Sequence, residues 1–163
     1  MSGRWPEPVE RVSAFLRETG AEARIEEFLQ GTLTAEDAAK AAGCGLPQIV
    51  KSLVFDCDGR PIVALVPGDR RADPLKVAKA AGCERARVAW PDLVREVTGF
   101  EPGAVAPFPL PRVERVFIDP RLLRHERVWV GAGSESHLAT LPPSELVRLS
   151  RAEPADVSEE SPL

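Results

Sequence analysis

The stretch Gln48-Ile49-Val50-Lys51-Ser52-Leu53-Val54-Phe55-Asp56-Cys57-Asp58-Gly59-Arg60-Pro61-Ile62-Val63-Ala64-Leu65-Val66 carries the clearest structural signal in the chain. Gln48 to Cys57 is rich in β-branched and apolar residues. Asp58-Gly59 is a strong hairpin turn, and Pro61 to Val66 returns as the partner strand. Side chains alternate across a strand, so Ile49, Lys51, Leu53 and Phe55 share one face and Val50, Ser52 and Val54 the other. Both faces are otherwise apolar, which predicts an interior strand with a lysine in it.

On the N-terminal side, Val9, Val12, Phe15 and Leu16 recur at helical spacing and stop at Gly20. Ala23 to Leu29 fits strand or helix, with a lean to strand. Thr34 caps a helix over Ala35 to Ala42, with Asp37 at its third position and Gly43 after its end. On the C-terminal side, Asp73-Pro74 opens a helix through Ala81, with Gly82 beyond it. Arg85 to Ala89 reads as a strand and Pro91 to Val97 as a helix closed by Gly99. Phe100 to Pro111, with four prolines, is an ordered loop. Val113 to Ile118 and Arg127 to Val130 are strands separated by a helical turn near Leu122. Gly131-Ala132-Gly133-Ser134 interrupts, Ser136 to Leu141 resumes as strand, and Pro143 to Leu149 is a last helix. Hairpins mixed with short helices predict a mixed α/β sheet or barrel rather than a doubly wound parallel sheet.

The 163 residues fit one domain, and a hydrophobic fraction of 44% is enough for one core. No apolar run approaches the ~20 residues of a membrane helix. Met1 to Glu10 carries Arg4, Pro6, Glu7 and Pro8 without a continuous apolar stretch, unlike a signal peptide. A soluble cytoplasmic protein is expected. Cys44, Cys57 and Cys83 are widely spaced and form no C-x-x-C pair, and His125 and His137 have no partner at ligand spacing. Neither a disulfide framework nor a metal site is indicated, and no cofactor is expected. The net charge of −4 is matched by Glu153, Asp156, Glu159 and Glu160 in a segment, 152–163, that has no basic residue. Residues 1–151 are therefore formally neutral. The expected organisation is one folded domain over 1–151 and an acidic, disordered tail over 152–163.

Three features could carry chemistry. A lysine on an apolar strand must reach solvent, pair, or line a polar pocket. Taken alone, the strand fits Lys51 as an edge gatekeeper against aggregation better than as an active group. Gly131-Ala132-Gly133-Ser134 lets a ligand approach backbone amides that can hold a phosphate, a ribose or an oxyanion. It lacks the Walker lysine, and a plain hairpin or bulge is its commoner meaning. His137 lies close enough in sequence to reach the same site, although a lone histidine is more often structural. The loop Thr98 to Phe108 is too apolar for a free loop; packing of Val105 and Phe108 is the commoner reason for such a loop, and Gly103 also leaves space for a small ligand.

The order and spacing of these segments resembles the YbaK and prolyl-tRNA-synthetase-associated editing-domain family. The resemblance runs from about Val9 to about Asp156. Its carriers are Ala35 to Ala39, Gln48 to Phe55, Val66-Pro67-Gly68-Asp69 with Asp73 and Lys76, Thr98-Gly99 through Pro107-Phe108, Val116 to Asp119, Val130 to Ser134, and Leu141-Pro142. It implies a mixed, partly barrel-like β-sheet surrounded by short helices. It also implies hydrolysis of the ester joining an amino acid to the 3′ end of a tRNA.

By this resemblance Lys51 is the family lysine facing the aminoacyl group and terminal adenosine, with Ser52 beside it. Gly131, Ala132, Gly133 and Ser134 form the loop near the adenosine, and His137 adjoins them. Gly103, Ala104, Val105 and Pro107 shape the amino-acid pocket. Gly103-Ala104 replaces a frequent glycine pair, and Pro109 stands where a glycine often follows, which implies a tighter pocket. Cysteine, alanine, serine or threonine are all candidates for removal, from tRNA-Pro or a related tRNA. Arg70, Arg71, Lys76 and Lys79, with Arg85 and Arg87 beyond, are candidate phosphate contacts; a solvated charged face fits them equally well. The implied partners are the aminoacyl-tRNA 3′ end and prolyl-tRNA synthetase or another synthetase. Two other readings stay open: a non-catalytic module that binds aminoacyl-tRNA or a synthetase, and a nucleotide-binding protein using Gly131 to Ser134.

Overall fold

A computed structural model describes residues 5–163. Residues 1–4, which open the segment read as unlike a signal peptide, lie outside the described residues. In chain order the elements are helix α1 (Glu7–Glu18), strand β1 (Arg24–Glu27), helix α2 (Ala35–Ala42), strands β2 (Val50–Cys57) and β3 (Arg60–Pro67), and helix α3 (Pro74–Ala81). Strand β4 (Ala86–Val88), helix α4 (Pro91–Thr98), strands β5 (Arg115–Ile118), β6 (Val128–Ser134) and β7 (His137–Leu141), helix α5 (Pro143–Ser150) and the two-residue strand β8 (Glu153–Pro154) follow. Among the described residues no helix is long and apolar enough to cross a membrane.

The local signals act as their chemistry requires. The Thr34 hydroxyl accepts the Asp37 N–H at 3.0 Å and starts α2. Asp73 accepts the Leu75 N–H at 2.9 Å, and Pro74, which has no N–H to lose, opens α3. The Asp58-Gly59 turn joins β2 and β3 with Cys57 opposite Arg60. β2 starts two residues later than its composition suggested, because Leu46–Gln48 forms a 3₁₀ turn around Pro47.

Two sheets result, ordered β1-β7-β6 and β4-β2-β3-β5-β8. The first is antiparallel; the second is antiparallel from β4 to β3 and parallel from β3 to β8. Outside the named strands, a parallel bridge between Ile49 and Trp129 joins them. The mixed α/β architecture is as expected, and the two sheets do not close into a complete barrel. Val50 and Val54 of β2 join Val63 and Leu65 of β3 in a core shared with β6, β7, α1, α4 and α5. Phe55, Cys57, Ile62 and Ala64 face the other way, against Val77 and Ala81 of α3. β3 is thus covered on both faces, as its unbroken apolar run requires.

Two expectations need correction. Gly131 to Ser134 does not interrupt the strand: β6 runs through it, with a register shift against β7 between Gly131 and Ser134. Residues 152–163, expected as a disordered tail, lie against the body. β8 pairs with β5, Val157 and Ser158 are fully buried, and the Ser158 hydroxyl donates to Asp119 at 2.6 Å. Average composition hid this, because Ala152 and Val157 are placed to fill the core and the partner of Ser158 lies 39 residues upstream.

Candidate active site

The site arises where a strand ladder stops. β4 pairs with β2 over Phe55–Cys57, and the Ala89 N–H adds a bond to the Val54 carbonyl at 2.9 Å. Continued in register, Pro91 would oppose Ser52. Proline has no N–H to give, and there the chain turns into α4. Between the last bond to the β4 side, at Val54, and the Ile49–Trp129 bridge, β2 therefore has an open edge around Ser52. The alternation of an antiparallel ladder, phased by the bonds at Val54 and at Ile49 (to the Gly68 N–H, 2.7 Å), points the Ser52 backbone N–H and C=O away from β3 into the opening. β2 thus has neighbours on both sides except around Ser52, which refines the expectation of an interior strand.

The opening is a cavity of about 310 Å³ between the open edge and β6. Gly103 and Val105 cover it from one side, and Thr32 to Ala35 with Ala38 from another. Trp129, Gly131 and Leu138 form the far wall. Lys51 is the sole charged residue of this lining. It is half-buried and donates from Nζ to the Arg70 carbonyl. Burial lowers its pKa from the ordinary lysine value, while the charges of Glu36 and Asp69 pull it back up and that of Arg71 adds to the lowering. Beside it the Ser52 hydroxyl is buried and has no hydrogen-bond partner among the described residues. Such a group is costly unless a ligand or water satisfies it.

Of the residues singled out from sequence, Lys51, Ser52, Gly103, Val105 and Gly131 meet in this cavity. Ala104 lies buried behind its neighbours. Pro107 faces a separate depression of about 620 Å³, walled by prolines and by the ion-paired Arg115 and Arg148. Ala132 is in the core between the sheets. The β6 glycines answer to packing: a Cβ on Gly131 would stand 2.7 Å from the Val105 carbonyl oxygen, and one on Gly133 2.8 Å from the Pro8 backbone. Ser134 and His137 pair with each other, Oγ to Nδ1 at 2.6 Å, at the far end of the β6–β7 hairpin. His137 is buried, its Nε2 lies 3.7 Å from Glu27, and burial lowers its pKa against the upward pull of that carboxylate.

The basic residues divide. Lys76 donates to Asp156 (3.1 Å) and to the Ser158 carbonyl (2.7 Å), and the Arg70 guanidinium donates to the carbonyls of Glu159 and Glu160. Arg87 pairs with Asp56 at 3.2 Å. Arg71 and Lys79 are exposed. Sequence reasoning missed the Thr32–Ala35 wall and Trp129. Thr34 was legible only as a helix cap, and nothing local brings Trp129 to Ile49. Among the described residues no group of three or more His, Cys, Asp or Glu is placed to hold a metal ion.

Residues 30–149 match the aminoacyl-tRNA editing domain family, and the chain belongs to that family. It is 35% identical over 127 residues to the uncharacterized protein YwhH of Bacillus subtilis, covering 77% of this chain and 80% of that one. It is 34% identical over 119 residues to a proline–tRNA ligase of Nitratidesulfovibrio vulgaris; the match covers 72% of this chain but only 21% of the ligase. Among solved structures, a candidate trans-editing enzyme for prolyl tRNA synthetase superposes with a TM-score of 0.88 at 35% identity, over 95% of this chain and 99% of that one. The hypothetical protein APE2540 gives 0.85 at 32%, over 91% and 99%.

Proposed function

We propose that the chain is a cytoplasmic aminoacyl-tRNA deacylase that acts in trans, hydrolysing the ester of a mischarged tRNA. The substrate is tRNA-Pro or a related tRNA carrying cysteine, alanine, serine or threonine. The observation that carries this reading is a small cavity at an open strand edge with one lysine as its sole charged group. At about 310 Å³ it lies at the low end of the range for ligand sites, about 300–1,000 Å³. That size suits a small amino acid with the ribose at the mouth.

An aminoacyl ester is already activated, so positioning and charge stabilisation are what the protein must add. In this reading the Lys51 ammonium faces the ester carbonyl or the ribose, and the Ser52 backbone and hydroxyl offer hydrogen bonds from the same strand edge. Water attacks the carbonyl carbon, negative charge builds on the carbonyl oxygen, and the ribose oxygen leaves with a proton. A hydroxyl of the substrate itself can relay that proton. No protein nucleophile is required, and the Ser134–His137 pair does not line the cavity.

The test is release of amino acid from tRNAs charged with alanine, cysteine, serine or threonine, by the parent and by Lys51→Ala. Rapid release of one amino acid, reduced at least about 100-fold by the substitution, is expected. Equal rates in both proteins would remove Lys51 from the mechanism. Tight binding of charged tRNA without turnover would favour the non-catalytic binding module.

A further inference from the structure

Lys51 reaches across the end of the sheet to the carbonyl of Arg70, in the stretch 68–73 that joins β3 to α3. No helix or ladder holds that stretch. On the β2 side Gly68 bonds to the Ile49 carbonyl. On its other side the restraints come from residues 156–163. The Val157 carbonyl accepts the Asp73 N–H at 2.8 Å, the Glu159 N–H donates to Arg71 at 2.8 Å, and the Leu163 N–H donates to Asp69 at 2.8 Å. Ala72 and Ser158 form an antiparallel bridge, and the Arg70 side chain closes on Glu160.

The outer segment is itself anchored to the core. Val157 is fully buried beneath α3, and Ser158 bonds to the buried Asp119. Asp119 also accepts the Arg121 backbone N–H at 2.8 Å and its guanidinium at 2.9 Å. The same loop carries Asp69 and Arg71, two of the charges acting on Lys51, the third being Glu36 at the start of α2.

We propose that residues 156–160 form a clamp that positions Lys51 through the 68–73 loop, with Val157 and Ser158 as its positioning residues. The proposal rests on Lys51 acting in deacylation, but its structural half stands apart from that reading. Small displacements of a positioned group can cost about 100-fold in rate. A released loop would leave the Lys51 ammonium without a held acceptor and open to water.

The experiment uses the full chain with Val157→Asp, which puts a charge where the core admits none, and Val157→Ile as the conservative counterpart. Ser158→Ala removes one anchor without disturbing the apolar core, and decides the matter should Val157→Asp fail to fold. The chain has four lysines, 40, 51, 76 and 79, so ¹³Cε-lysine NMR reports Lys51 directly. In the folded Val157→Asp protein the Lys51 signal should move and its titration midpoint should rise toward the ordinary lysine value, with Lys40 unchanged. kcat should fall about 10-fold or more with KM within about 3-fold. Ser158→Ala should move both in the same direction by less, and Val157→Ile should restore the parent behaviour. A Lys51 signal and midpoint unmoved in every variant, while amide exchange shows 157–159 released, would overturn the clamp. If the parent releases no amino acid from any tRNA, the deacylase reading fails, and the NMR arm still decides whether the clamp holds Lys51.

Discussion

Adding one methyl group at Gly131 would bring a carbon to 2.7 Å from the Val105 carbonyl oxygen, so β6 or the covering loop would have to move. Both atoms belong to main chain, and neither can turn aside as a long side chain could. Gly131→Ala is expected to cost about 1–3 kcal/mol, read as a lower urea midpoint, and to weaken the proposed deacylation by shifting Val105 at the cavity wall. An unchanged midpoint would mean that the loop does not rest on β6. Gly133 combines a similar approach to Pro8 with a φ of +104°, so its glycine belongs to the seating of α1. Lys51 is the counter-case at this scale. Its residue type and strand were readable in the sequence, but its acceptor, Arg70, is known only from the fold.

At the scale of elements, helix α5 is tied to the connection between α1 and β1 through Glu145. Its carboxylate takes two hydrogen bonds from Arg148, at 2.7 and 3.0 Å, and accepts the Glu22 N–H at 2.8 Å. The Arg148 bonds first, then the Glu22 amide, lower the Glu145 pKa to about 2. A carboxylate held below its unfolded value, about 4.3, contributes stability that is fully present above that value and lost as pH falls toward 2. The Arg148 side of the pair is half in solvent, where screening keeps the contribution small. Glu145→Gln should lower Tm by roughly 1–3 °C at pH 7, and the gap should narrow in melts taken from pH 5 downward. A gap that widens on acidification would contradict the assignment.

For the molecule as a whole, formal charge is a poor guide to RNA contact, because several basic residues already hold protein partners. Arg70 and Lys76 are engaged by the 156–160 segment and Arg87 by Asp56, which leaves Arg71, Lys79 and Arg85 exposed among the candidates. Each phosphate contact contributes about −0.9 to the slope of log affinity against log salt. For the proposed substrate, the KM for charged tRNA should therefore follow salt with a slope of magnitude about 3 or less. A slope beyond about 4 would mean that Arg70 and Lys76 leave their partners for phosphate and that the 152–163 segment yields to RNA.

Local chemistry determined much of this protein. The Asp58-Gly59 hairpin, the Thr34 and Asp73 caps and the position of Lys51 in β2 all depend on neighbours within a few residues, where side-chain pattern and backbone preference act directly. The family's motifs sit on these same segments, so membership too was legible. The end of β4 before Pro91 was legible as well, but only the tertiary structure decided that β4 pairs with β2 in a register that leaves Ser52 on an open edge. It also decided that the β6 glycines serve close packing, that Ser134 and His137 stand away from the cavity, and that the acidic end is held by Val157 and Ser158. Each of these depends on which distant backbone approaches which, and on whether a buried polar group finds its partner there. Composition and periodicity average over that information, and close packing in three dimensions supplies it.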